Sequence, residues 1–285
     1  MEPNDLVLCP LTIRADLHAC TPDQYRSVLD LAVEHGYRGV DLGMLDVGIA
    51  RAAGIPRDAF LAWFAERGLS TPIVDVLSGW AQGESEREIA ARALPVLEVA
   101  ERAGAKTVVA ICMEATLPSI EETARGFAQV CALAAERGLA VSIEFFPWGG
   151  IGDIATAWEV VRASGADNGG IVLDTWHWAR SRNPAADDLA TLRAIPGGRI
   201  HVVQVDDAAP VPGCDLLRET LRARRLPGHG MPGTVDVLRT LREIGARPIV
   251  APEVFSRDLF RQGAGEMMRQ VAAATRAVLA RAGWT

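Results

Sequence analysis

Lysine is nearly absent. Lys106 is the only one in 285 residues, and arginine carries the rest of the basic charge. Schiff-base chemistry, which needs a lysine at the reacting face, therefore has one residue to rest on. The five cysteines, Cys9, Cys20, Cys112, Cys131 and Cys214, are odd in number and form no CxxC pair. That excludes a disulfide framework or thiolate zinc site and fits reduced thiols in a cytoplasmic protein. No apolar run approaches the roughly 20 residues of a membrane span. The opening Met-Glu-Pro-Asn-Asp lacks the basic-then-apolar order of a secretory signal. A formal charge of −7 leaves no basic excess for a nucleic-acid partner. Also missing are a GxSxG elbow, a P-loop, and a GxGxxG after the first strand.

What is present is a core: 49% of residues are hydrophobic and 23% charged, the balance of a soluble globular protein. The length suits one large domain, and no Pro-, Gly- or Ser-rich linker divides it. One phrase recurs along the chain. A helix end, a glycine, one or two linking residues and a buried apolar run appear around Gly36, Gly68, Gly104, Gly138 and Gly245. Thr21-Pro22-Asp23-Gln24 has the form of a helix start with a capping box and proline at the first position. Such alternation means a parallel sheet with helices outside it. Strands are expected near residues 6–13, 39–43, 72–77, 107–113, 140–146, 170–174, 200–206 and 248–254. Eight βα units point to one α/β domain over residues 1–285, a single (β/α)8 TIM barrel, with a doubly wound open sheet as competitor. Lys106 then precedes the fourth strand, at the wrong end of the barrel for catalysis. Residues 207–233 are too long for an ordinary βα loop and are expected to cover the active face.

Four of these strands end alike, with an apolar run stopped by a carboxylate or amide: Val141-Ser-Ile-Glu144, Ile171-Val-Leu-Asp174, Val202-Val-Gln204 and Ile249-Val-Ala-Pro-Glu253. A carboxylate there is costly unless it is paired, protonated or bound to a cation. In a barrel, strand ends line the active face, and neighbouring strands lie about 5 Å apart, so Glu144, Asp174, Gln204 and Glu253 can converge on one ion. Three carboxylates and an amide oxygen suit Mn²⁺ first, with Mg²⁺, Co²⁺ or Zn²⁺ as alternatives. The bland alternative is a set of carboxylates paired with rim arginines. His177, three residues after Asp174, is placed to hydrogen-bond a substrate oxygen. Arg225 and His229, on the long loop, could clamp an anionic or polyhydroxy substrate. His201 belongs to the core, since strand alternation sets it opposite Gln204. Asp236, in the first turn of the helix from Thr234, uses the helix-start field that a phosphate would need. Trp80, Phe146, Trp148 and Trp176 would wall the mouth, with ordinary rim packing as the alternative.

Taken together, Ile-Glu144-Phe-x-Pro-Trp148, Leu-Asp174-Thr-Trp176-His177, Val-Gln204-Val-x-Asp207, Arg225-x-Pro-Gly-x-Gly and Pro-Glu253-Val-Phe resemble the xylose-isomerase-like TIM-barrel superfamily, the sugar phosphate isomerases/epimerases. The resemblance covers almost the whole chain and is most specific in its second half. It implies that Glu144 and Glu253 exchange protons with substrate as well as holding metal, that Asp174 is a ligand, and that His177 and Arg225 bind substrate oxygens. Gln204 stands where the ketose 3-epimerases carry histidine and is similar to the bacterial 3-dehydroshikimate dehydratases. The endonuclease branch, rich in zinc-binding histidines, fits poorly with five histidines. The expected activity is a metal-dependent isomerase or epimerase of a small polyhydroxy carbonyl compound, working through a metal-stabilised enediolate. The alternatives are a lyase that expels a β-hydroxyl from a cyclic keto compound, and a non-catalytic barrel that binds a metabolite. Association between copies of the chain is left open by the sequence.

Overall fold

The computed structural model describes residues 5–13, 20–183 and 189–284. Eight parallel strands follow one another around the sheet in chain order: β1 Val7–Leu8, β2 Gly39–Gly43, β3 Ser70–Leu77, β4 Thr107–Ile111, β5 Ala140–Glu144, β6 Gly169–Asp174, β7 Ile200–Gln204 and β8 Ile249–Ala251. A parallel bridge between Leu6 and Val250 joins the last strand to the first, so the sheet is a barrel. The helices are α1 Pro22–Glu34, α2 Met44–Ala52, α3 Arg57–Ala65, α4 Glu86–Ala103, α5 Ile120–Ala135, α6 Ile154–Ser164, α7 Thr175–Ala179, α8 Leu189–Ala194, α9 Leu216–Thr220, α10 Thr234–Glu243, α11 Arg257–Phe260 and α12 Ala264–Arg281. Among the described residues, no helix is long and apolar enough to cross a membrane, and none of the five cysteines is in a disulfide.

Local chemistry sets the boundaries. Thr21 accepts from the Gln24 amide while Gln24 caps the Thr21 amide, the reciprocal box expected at the start of α1. β1 is shorter than expected because Pro10 has no N–H to give a ladder; the chain turns there into a 3₁₀ segment, Pro10–Ile13. Pro252 likewise ends β8 early.

Two apolar layers result. The larger lies between sheet and helices and includes Leu29, Val40, Phe64, Leu97, Phe127, Ile143 and Leu238. The smaller fills the barrel itself: Val7, Ile73, Val109, Val172, Val202 and Ala251, with Ile111 and Ile249 against them. Because successive strand residues point to opposite faces, this inner layer fixes which residues look inward at the mouth.

His201 departs from simple alternation. The β6–β7 register slips between Ile171 and Val172, pairing Ile171 with Ile200 and Val172 with Val202. His201 is the extra residue, so it points inward together with Val202. Its Nδ1 lies 2.9 Å from Ser142 Oγ, which is 2.6 Å from Thr107 Oγ1. A Cβ on Gly170 would stand 2.3 Å from the His201 ring, so glycine makes that placement feasible. His201 is a core residue as expected, but on the inner side of the sheet.

Candidate metal centre

The inner layer orients the site. Glu144 is paired in register with Val172, Asp174 with Gln204, and Gln204 with Ala251. Val172 and Ala251 face the barrel interior, so Glu144, Asp174 and Gln204 do too, and Glu253, two residues beyond Ala251, follows the same parity. All four are buried, at 7%, 0%, 3% and 6% exposure, which leaves bulk water little part in balancing their charge.

Their partners are few. Asp174 Oδ1 caps the His177 amide at the start of α7, 2.8 Å away. His177 Nε2 lies 3.3 Å from Glu144 Oε1 and 3.9 Å from Asp174 Oδ2, so the structure brings this histidine into the carboxylate cluster itself. One donor atom from each of Glu144, Asp174 and His177 falls within 4.8 Å of the others, close enough to share an ion. Gln204 Oε1 and His177 Nδ1 are buried without a hydrogen-bond partner.

The cation at the centre is Arg224, which sequence reasoning missed. Its Nη1 donates to Asp174 Oδ2 at 2.6 Å, to Asp206 Oδ2 at 2.5 Å and to the Glu253 carbonyl at 3.0 Å, and sits 3.1 Å from Glu253 Oε2. Nε and Nη2 are held by Thr220 in α9. Arg225, the residue named for this role, is exposed. Its backbone pairs antiparallel with Asp207 through two hydrogen bonds of 2.7 and 3.0 Å, and strand alternation then turns Arg225 out and Arg224 in. His229 is also exposed. The long loop thus does cover the site, through the residue beside the expected one. Asp206, two positions after Gln204 and 0% exposed, is the other omission; it accepts from Thr175 Oγ1 at 2.7 Å and from the Trp176 amide at 2.8 Å.

The aromatic wall is real on one side. Phe146 stacks on Trp148 at 5.5 Å, and His177 packs edge-on against Phe146, Trp148 and Trp176 at 5.2–5.5 Å. Trp80 is elsewhere: it packs on Phe127 of α5, in the layer outside the barrel. Asp236 pairs with Arg239 on the surface. The group at the start of α10 is Asp207, which accepts from Thr234 Oγ1 and, at 3.0 Å, from the Gly230 amide.

Burial and the charge of Asp174 push Glu144 up to about 8, and burial pushes Glu253 to about 8 as well. Burial also acts on Asp174, but Arg224 and His177 outweigh it and hold that carboxyl below its usual range. Burial pushes His177 down to about 4, leaving a neutral ring with a lone pair to donate. Three carboxyls, of Asp174, Asp206 and Glu253, therefore share one guanidinium with Glu144 close by, and burial makes Glu144, Glu253 and Asp206 costly to charge, beside an amide oxygen with nothing to accept among the described residues. A divalent cation suits such a donor set: hard oxygens, excess negative charge and an orphaned acceptor.

Residues 29–278 match the family described as xylose isomerase-like TIM barrel. The chain belongs to that family. An inosose isomerase of Bacillus velezensis is 23% identical over 266 residues, spanning 89% of this chain and 91% of that one. A 3-dehydroshikimate dehydratase of Pseudomonas aeruginosa is 30% identical over 129 residues, 45% of this chain but 20% of that longer protein. Among solved structures, an IOLI protein with a binding zinc atom superposes with a TM-score of 0.82 at 21% identity, covering 99% of both chains. The curated relatives it resembles are thus an isomerase and a dehydratase.

Proposed function

We propose that the protein is a divalent-metal-dependent isomerase or epimerase of a polyhydroxy carbonyl compound, with Glu144, Asp174, Gln204 and Glu253 holding the ion. What supports this reading is that these four buried oxygen donors share the inward-facing parity of the strands, that Gln204 Oε1 has no partner among the described residues, and that donor atoms of Glu144 and Asp174 lie within 4.8 Å of one another. Similarity to an inosose isomerase supports a cyclic polyhydroxy ketone as substrate class. The zinc of the IOLI protein and the Glu144–Asp174–His177 grouping support a divalent ion. The oxygen-rich set still favours Mn²⁺ over Zn²⁺ in our reading.

The ion, when bound, supplies Lewis-acid stabilisation of charge developing on the carbonyl oxygen. The protein's own groups do the rest. Glu144 and Glu253 reach the cavity from strands on either side of Asp174 and Gln204, so one takes the proton from the carbon beside the carbonyl and the other returns one. General acid–base work of this kind typically contributes 10²–10⁴-fold. Arg224 donates to the carboxylates and keeps Asp174 charged. Trp148, Trp176 and Phe146 wall the site against water around His177, which is free to bind a substrate oxygen.

The test is chelator-stripped protein reloaded with Mn²⁺, Zn²⁺, Mg²⁺ or Co²⁺ and incubated in deuterated water with an inosose, a ketose or 3-dehydroshikimate. Deuterium in a recovered isomer is the expected result, lost in Glu144→Gln and Glu253→Gln. A conjugated enone absorbing in the ultraviolet would mean the lyase reading, which Gln204 and the dehydratase similarity favour. Metal binding without turnover or exchange of any candidate would leave a binding barrel.

A further inference from the structure

The barrel mouth has a second acidic side. Asp41, on β2, is the register partner of Ile73, a member of the inner apolar layer, so its side chain points into the barrel. Asp75 lies two residues beyond Ile73 on the same face of β3. Asp41 is only 3% exposed, and the Oδ1 atoms of Asp41 and Asp75 are buried with no hydrogen-bond partner among the described residues. Asp46 nearby is different, because its Oδ2 is taken up by the Tyr25 hydroxyl and the Gly43 amide. Gly43, the register partner of Asp75, holds Asp46 rather than Asp75: a Cβ there would stand 3.2 Å from Asp46 Oδ2.

In an eight-stranded barrel β2 stands opposite β6, and β3 opposite β7. Asp41 therefore faces Asp174 across the mouth, and Asp75 faces Gln204. The charges of Glu144 and Asp75 act on one another and on Glu253 across this gap, which places both sides on one cavity. A buried carboxylate oxygen with no donor is costly, of order 1–3 kcal/mol or more, and native proteins pair such atoms. A ligand that carries hydroxyls can supply the missing donors.

We propose that Asp41 and Asp75 form the hydroxyl-binding wall of the site, their Oδ1 atoms accepting hydrogen bonds from hydroxyls of a polyol whose carbonyl end lies on the Glu144–Glu253 side. The inference rests on the proposed function and adds to it the residues that select a polyhydroxy ligand. Two neighbouring acceptors on one wall suit a ring that carries hydroxyls on adjacent carbons.

The experiment uses the full chain loaded with Mn²⁺ and myo-inositol, a cyclic polyol with no carbonyl to react, as the probe. Calorimetry reads inositol affinity and elemental analysis reads metal content in the parent, Asp41→Ala, Asp75→Ala and the near-isosteric Asp41→Asn and Asp75→Asn. Inositol affinity is expected to fall at least tenfold in the alanine variants, with one ion retained per chain and metal affinity unchanged within threefold. Thermal stability without polyol is expected not to fall, since each change removes an unsatisfied buried oxygen. Inositol affinity unchanged in both alanine variants overturns the inference, as does a second ion in the parent that either variant loses. Kept affinity with a sharply lowered Tm in the asparagine variants shows a structural role and overturns it too. If the parent binds no inositol yet exchanges the α-proton of an inosose in deuterated water, this inference alone falls. If it does neither, the proposed function falls with it.

Discussion

Arg224→Met removes the guanidinium and keeps the apolar stem. In the parent this group is 2% exposed and contacts Asp174, Asp206 and Glu253 within 3.1 Å. Removing one partner of a buried ion pair typically costs about 3–5 kcal/mol, because the remaining charge stays in a poorly screened place. With an unfolding entropy of about 2.1 cal/mol/K per residue, 285 residues give roughly 0.6 kcal/mol/K, so a loss of about 4 kcal/mol lowers Tm by roughly 7 °C. The carboxyls can escape part of that cost by taking up protons, which makes the loss larger at pH 8 than at pH 5.5. A divalent ion offers the other escape. Differential scanning calorimetry of parent and variant, at both pH values with chelator and with saturating Mn²⁺, separates these effects. The variant should gain more from Mn²⁺ than the parent does. A variant within about 1 kcal/mol of the parent in chelator at pH 8 would refute the account of Arg224 as the internal counter-charge, since surface pairs alone are worth that little.

Two further outcomes follow from the same groups. Gln204→Leu should weaken Mn²⁺ binding by at least roughly 10–100-fold, the loss seen when even an outer partner of a metal ligand is removed, while raising metal-free stability by replacing an oxygen that has no donor; competition with a chromophoric chelator and thermal melts check the two halves. In metal-free protein, Glu144, Glu253 and Asp75 are pushed to about 8 by burial, so the folded chain binds more protons than the unfolded one between about pH 4.5 and 8, and stability falls as pH rises through that window, by up to about 1.4 kcal/mol per unit per group. His177 and His201, pushed by burial to about 4, act in the opposite sense: the unfolded chain binds the extra protons between about pH 4 and 6.5, so their contribution is lost as pH falls through that range. Above pH 6.5 only the acids titrate, and Tm in chelator should decline from pH 6.5 to 8; a rise would contradict the direction of all three carboxyl shifts.

The parts of this molecule legible in the sequence were those fixed by strand parity. Glu144, Asp174 and Gln204 each close an uninterrupted apolar run, so their depth and direction follow from the run itself, and the inner layer of Val172, Val202 and Ala251 agrees. Asp41 and Asp75 carried the same signal in Gly39-Val-Asp and Pro72-Ile-Val-Asp, where the apolar runs are shorter and the carboxylate attracts less notice. What parity could not give was anything set by long-range register. Choosing Arg224 over Arg225 requires knowing that Arg225 pairs with Asp207, eighteen residues back. The direction of His201 requires the slip between Ile171 and Val172. Trp80 looked like a mouth residue because it follows a strand end, but Phe127 gives it an apolar place outside the barrel.

That division has an energetic reason. The side chains that keep the barrel folded lie mostly between sheet and helices and beneath the mouth, where Leu29, Val40, Phe127 and Leu238 are fully buried among apolar neighbours. At the mouth the same strands end in groups that oppose folding: six inward carboxyls on Asp41, Asp75, Glu144, Asp174, Asp206 and Glu253, set against Arg224, which among the described residues is the guanidinium that pairs with them. Protons relieve part of that cost, and added positive charge and added hydrogen-bond donors relieve the rest. A divalent ion supplies the first and a polyol the second. Stability surrendered at the strand ends is thus the counterpart of affinity, and substitutions that quieten the mouth should stabilise the chain while removing its ligands.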